Sequence, residues 1–212
     1  MIKYLGSKRT LIPALTQLGK ASGAKTALDL FTGTTRVAQA FKKLGMTVTA
    51  SDVASYAECF GKTWIELDST KVNQAELNEA IAKLNALPGE AGYFTEKFCV
   101  EARYFQPKNG EKVDAMRKQI ELEYKDSWLY YPLLTSLILA ADRVDSTTGI
   151  QMAFLKGWAS RSANNLELRD PELLPGAGFS VRGDALEIAK DLPAVDLAYL
   201  DPPYNQHRYF SN

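Results

Sequence analysis

Apolar positions along this 212-residue chain fall into two textures. Leu11, Ile12, Leu15 and Leu18 recur at helical spacing after Ser7 and stop at Gly19, which predicts a short amphipathic helix with one apolar face. A short apolar run from Thr26 to Phe31 is then broken by Gly33. Val37, Ala38, Phe41 and Leu44 follow at helical intervals up to Gly45, and Met46 to Asp52 alternates. Strand, glycine turn, helix and strand make a βαβ unit.

From residue 53 to 177 the periodicity is helical, with no strand pattern between the helices. Asn73 with Glu76 three positions on reads as a capping box ahead of the stripe Leu77, Ile81 and Leu84, which Pro88-Gly89 ends. A second amphipathic stretch (Val113, Met116, Ile120, Tyr124) follows Asn109-Gly110. Pro132 then opens the run Leu133 to Ala141, which is apolar almost all round and reads as a buried helix. Two further strands, Phe179 to Asp184 and Val195 to Asp201, flank a short helix and both end in aspartate. The expectation is an α/β core formed by 1–52 and 178–212, interrupted by a helical insertion over 53–177.

Composition narrows the class. Hydrophobic residues make up 46% of the chain, enough for a core, which excludes wholesale disorder. Lys plus Arg equals Asp plus Glu at 25 each, which argues against a nucleic-acid coat protein or a polybasic membrane binder. The balance is uneven: residues 1–50 carry eight basic side chains against one acid, Asp29. Cys59 and Cys99 have neither zinc nor disulfide-framework spacing and read as buried reduced thiols. The longest apolar run is too short to span a bilayer and the N-terminus lacks a signal-peptide stretch, so the expected location is cytoplasmic, with no membrane partner.

The candidate chemistry sits at the strand ends. Asp29-Leu-Phe31-Thr-Gly33 lies between a strand and a helix, where a glycine permits close approach and a helix N-terminus offers amide donors. With a single glycine it is not a dinucleotide fingerprint, and its carboxylate suits a cationic ligand group better than a pyrophosphate. Asp52 closes the next strand, where an acid takes up ribose hydroxyls. Asp201-Pro202-Pro203-Tyr204 is the most specific motif: the prolines remove two amide donors and leave carbonyls and a carboxylate as acceptors for an amino group, and Tyr204 offers a ring for stacking. Lys156, Arg161 and Arg169, with Trp158 and Asn164-Asn165 among them, read either as contacts for phosphates and base edges or as a plain solvated surface, and Arg208 beside His207 after the motif either as a phosphate or base contact or as part of a solvated loop pair. No residue set reads as a metal site.

These motifs together resemble the D12-type, Dam-like DNA adenine N6-methyltransferases. Lys3-Tyr4-Leu-Gly-Ser-Lys8 is similar to the family's N-terminal cofactor element, Asp29 to Gly33 to its cofactor loop, and Asp201 to Tyr204 to its catalytic motif. The resemblance implies a Rossmann-like methyltransferase core with a mixed, mainly parallel sheet, incomplete at the C-terminus, and a target-recognition region in the helical insertion. It implies S-adenosyl-L-methionine as cofactor, contacted by Tyr4, Lys8, Asp29, Phe31, Gly33, Asp52, Asp184 and Asp201, with Asp52 on the ribose and Asp184 on the adenine amino group. Aspartate at the head of the catalytic motif implies adenine rather than cytosine as acceptor. The implied partners are double-stranded DNA, a cognate restriction endonuclease and the C-terminal segment that the family has beyond this chain's last residue, whose lack leaves the catalytic strand with an open edge. Other readings stay open on these residues: an RNA or protein-glutamine methyltransferase, and a non-catalytic DNA-binding fragment.

Overall fold

The computed structural model describes residues 8–148 and 155–203. Two compact units divide the chain: the described residues up to Val72 and from Glu172 form one, and Asn73–Pro171 the other. The insertion is therefore narrower than its periodicity implies. Residues 55–66 are helical, and with the rest of 53–72 they belong to the sheet-bearing unit, because those helical turns pack on its strands.

In the sheet-bearing unit, α1 (Ile12–Ser22) carries Pro13 in its first turn and ends at Gly23, whose φ of 68° closes the helix in the left-handed region. Gly19 does not stop it. That glycine is buried, and a Cβ there would lie 3.1 Å from the Phe41 ring, so its lack of a side chain lets α1 approach α2 (Arg36–Lys43). Leu11 and Leu18, counted with the apolar face, are exposed. The strands β1 (Thr26–Asp29), β2 (Thr47–Asp52), β3 (Phe179–Arg182) and β4 (Leu197–Tyr199) form a wholly parallel sheet in the order β3-β2-β1-β4. Ala27, Val48 and Ala50 on the inner strands and Val37, Ala38 and Phe41 on α2 are its core. Burial of each larger side chain is worth about 1.5–3 kcal/mol. Parallel pairing has one consequence for chemistry: the carboxyl ends of all four strands, and the aspartates at them, lie along one edge.

Lys42 is an exception to the solvated last turn that its sequence position implies. Its side chain is buried, and the ammonium donates to the carbonyls of Trp64 (2.9 Å), Ile65 (2.9 Å) and Leu67 (2.6 Å). Those carbonyls end the π-helical segment Gly61–Glu66 that continues α3 (Ser55–Phe60). Lysine thus replaces the partners that a helix end otherwise lacks, although burial pushes its pKa down to about 8.

The second unit is built around three helices, α4 (Gln74–Ala86), α5 (Pro107–Tyr124) and α6 (Tyr130–Val144). Half of the expected capping box is present: Asn73 accepts from the Ala75 amide, but Glu76 accepts from the Trp128 indole instead of turning back. Asn109-Gly110 is not a turn. Pro107 starts α5, so both residues lie in its first turns, buried, with Asn109 bonded to Ser162, Asn164 and Leu166. A Cβ on Gly110 would come 2.2 Å from the Cys99 sulfur.

Two stability outcomes follow. Lys42→Met, which strands three buried carbonyls, is expected to cost about 2–4 kcal/mol in denaturant unfolding, and a loss within error of zero would mean that water replaces the ammonium. Gly110→Ala is expected to cost about 1–3 kcal/mol by overpacking, with Cys99→Ala in the same chain relieving most of it.

Candidate active site

The loop after β1 is built around Asp29. Its side chain is fully buried, and Oδ2 accepts from the Thr32 hydroxyl (3.0 Å) and the Ala38 amide (3.1 Å) in the first turn of α2. Oδ1 has no partner and is one of two such buried side-chain atoms among the described residues, the other being Ser51 Oγ on β2. Burial, with smaller contributions from the charges of Asp52 and Asp201, pushes the Asp29 carboxyl up to about 7 against the pull of its two donors. A buried oxygen left bare in a polar crevice costs about 1–3 kcal/mol unless a ligand meets it.

The loop itself is strained. Gly33 has a φ of 49°, which glycine tolerates, but Thr35 has a φ of 57° with a β-branched side chain that disfavours that region. Surrounding bonds hold it there: the Thr35 amide donates to Thr32 O (2.7 Å) and Gln39 donates to its hydroxyl (2.9 Å). No sequence signal marks Thr35, since only a glycine advertises such a conformation.

Asp52 closes β2 beside this loop. Its Oδ2 accepts from the Gly33 amide (2.8 Å) and Oδ1 from the Ala54 amide (3.0 Å). The Gly33 amide in the loop and the Ala38 amide in the first turn of α2 are therefore spent on Asp52 and Asp29. Phe31 is half-buried in the same loop. Asp184 follows β3 and is exposed, and its side chain caps the short helix Ala185–Ile188 through the Leu186 amide (2.9 Å). It stays beside the site because Gly183 donates to the Asp52 carbonyl (3.1 Å).

Asp201 follows β4, half-buried, with Pro202 and Pro203 exposed after it. Lys8, four residues before α1, places its ammonium 2.6 Å from Asp201 Oδ2. Asp29, Gly33, Asp52, Asp184 and Asp201 thus share one edge of the sheet, and Lys8 joins them from the N-terminal side. Tyr4, Tyr204 and Arg208 lie outside the described residues.

The remaining candidates belong to the helical unit. Lys156 is exposed. Arg169 is exposed and loosely paired with Glu167 at 3.5 Å. Arg161 is tied down: Nε lies 2.6 Å from the buried Asp145 carboxylate, and Nη2 donates to Thr147 O. That geometry gives Arg161 a structural role within the helical unit.

The chain matches the family described as D12 class N6 adenine-specific DNA methyltransferase over residues 4–212. It is 34% identical over 229 aligned positions to the modification methylase StsI of Streptococcus sanguinis, covering 100% of this chain and 35% of that protein. To the type II methyltransferase M.NlaIII of Neisseria lactamica it is 33% identical, covering 100% of this chain and 66% of that protein. The chain therefore spans only part of the curated relatives it matches. No solved structure is significantly similar to it.

The raised Asp29 pKa sets a testable slope. Between an unfolded value of about 3.9 and a folded value of about 7, the folded chain holds a proton that the unfolded chain has lost. Stability therefore falls as pH rises through that window, by an amount on the order of 4 kcal/mol. Asp29→Asn removes this contribution, so it is expected to unfold at higher denaturant than the wild type at pH 8 and to lose most of that advantage at pH 5. Parallel pH profiles for the two chains would contradict the assignment.

Proposed function

The chain belongs to the D12 class of N6 adenine-specific DNA methyltransferases, and from that premise we propose that it transfers a methyl group from S-adenosyl-L-methionine to adenine N6 in DNA, as the modification partner of a restriction endonuclease in the cytoplasm. The observation that carries the reading is Asp29 Oδ1, a buried acceptor with no donor. The cofactor's amino group is a cationic donor of the kind this oxygen lacks. When bound, the cofactor supplies an electrophilic methyl group, and everything else is done by the chain.

In this reading Asp29 holds the amino group, Asp52 accepts from the ribose hydroxyls with the lone pairs its two amide bonds leave, and Phe31 and Gly33 shape the loop around them. Asp184 meets the adenine amino group at the far end, and Tyr4 and Lys8 close the methionyl end. Asp201 and the Pro202 carbonyl accept hydrogen bonds from the target N6 amino group, directing its lone pair at the methyl carbon. Pro203 stiffens that turn, and Tyr204 stacks on the base. Lys8 acts as a positioning residue: its ammonium fixes one oxygen of Asp201 and balances its charge. Protein cysteines take no part in such a transfer, in keeping with Cys99, buried and with its thiol pushed up to about 11.

Saturating S-adenosyl-L-methionine is expected to stabilise the chain by about 2.7 kcal/mol at a hundred times its dissociation constant. Affinity is expected to fall about tenfold per pH unit below about 7, where Asp29 takes up its proton. Asp52→Ala weakens cofactor binding. Asp201→Ala leaves it nearly intact and lowers methyl transfer to an adenine-containing duplex by roughly a hundred- to a thousandfold. Thermal melting with no cofactor shift at any pH, or an Asp201→Ala chain with wild-type transfer, would sink the reading.

A further inference from the structure

Outside the sheet edge, the helical unit holds a cleft of about 410 Å³ whose walls include Arg103, Tyr104, Thr147, Lys156 and Trp158. That volume lies in the range of small-ligand sites. Arg103 occupies its mouth in a costly way. It follows the π-helical segment Thr95–Glu101 and its cap Ala102 with a φ of 58°, a left-handed position at a helix end that glycine fills at least cost. Its guanidinium lies over the Trp158 ring, 5.3 Å from the centroid, which holds the plane of the charge before any ligand arrives.

The walls are fastened by hydrogen bonds. Ser146 N donates to Tyr104 O at 2.7 Å, and Ala159 N donates to Ser146 Oγ at 2.9 Å. The acid next to the lining residue Ser146, Asp145, is already neutralised by Arg161. Among the described residues neither Arg103 nor Lys156 has a carboxylate partner, while Tyr104 and Trp158 keep 44% and 41% of their surface exposed. Two unneutralised cations beside two exposed aromatic rings have the chemistry that holds a phosphodiester and packs its sugar and base.

We propose that this cleft binds a nucleotide of the DNA substrate, its phosphate on Arg103 and Lys156 and its sugar and base on Tyr104 and Trp158. The inference rests on DNA being the substrate and adds where the helical unit takes hold of it. Arg103 is then a residue kept in an unfavourable backbone conformation for the sake of binding.

The test is fluorescence anisotropy of a labelled adenine-containing duplex from about 50 to about 200 mM salt, with thermal melting of the same chains. Arg103→Gly is expected to melt at or above the wild type, since glycine relieves the strained φ, yet to bind duplex at least about tenfold more weakly with a salt dependence shallower by about one phosphate contact. Lys156→Ala, at an exposed position, is expected to change binding in the same direction, and Trp158→Ala to weaken it without changing the salt slope. Wild-type duplex affinity in both Arg103→Gly and Lys156→Ala, in a chain that S-adenosyl-L-methionine still stabilises, overturns the cleft and leaves the proposed reaction standing. No duplex affinity and no cofactor shift in the wild type would overturn both.

Discussion

Parallel pairing of four strands is the constraint from which the site follows. A parallel sheet sends every carboxyl end to the same edge, and each strand here is followed or closed by an aspartate, so Asp29, Asp52, Asp184 and Asp201 are gathered without any one of them reaching far. Crowding so much negative charge is costly, and the fold offsets it in three ways. Asp52 is bonded by two amides, Asp184 caps a helix, and Asp201 is paired with Lys8. Asp29 is the one left with a bare oxygen, and burial and its neighbours' charges act on it in the same direction, raising its pKa.

Two costs therefore meet in one loop. The free chain tolerates a half-satisfied carboxyl, and the same few residues hold Thr35 in a backbone conformation that β-branched side chains avoid. Neither feature improves the unliganded fold. Both are what a preorganised cradle requires, because the acceptor and the tight turn must exist before the ligand if binding is not to be spent on rearrangement. The buried core around Phe41 and Val48, together with the Lys42 cap on Gly61–Glu66, supplies the rigidity against which that strain is held.

How legible this was depended on whether a residue's role is local. The βαβ unit, the strand ends and the aspartates on them were read from period and punctuation, because alternation and glycine turns are local signals. Glycines misled where packing, not a turn, required them. Gly19 and Gly110 both lie within helices, next to Phe41 and Cys99, and a partner remote in sequence leaves no mark beside the glycine itself. Periodicity is limited for a related reason, since it reports that residues 55–66 are helical but not which unit they pack on. Thr35 and the bare Asp29 oxygen were invisible, being properties of backbone angle and of what is absent.

The same limit governs charge. Eight basic residues in the first fifty positions invite the reading that a basic face lies there, yet Lys42 is buried on three carbonyls and Lys8 is paired with Asp201. In the helical unit Arg161 is likewise taken by Asp145, whereas Arg103, which no motif singles out, stands over Trp158. A cation already satisfied by the protein has little left to give a phosphate, since a new contact must first break the old one. Counting basic residues measures the supply of charge, but recognition draws only on the part of it that folding leaves unneutralised, and that part is fixed by which carboxylates and carbonyls the fold brings within reach.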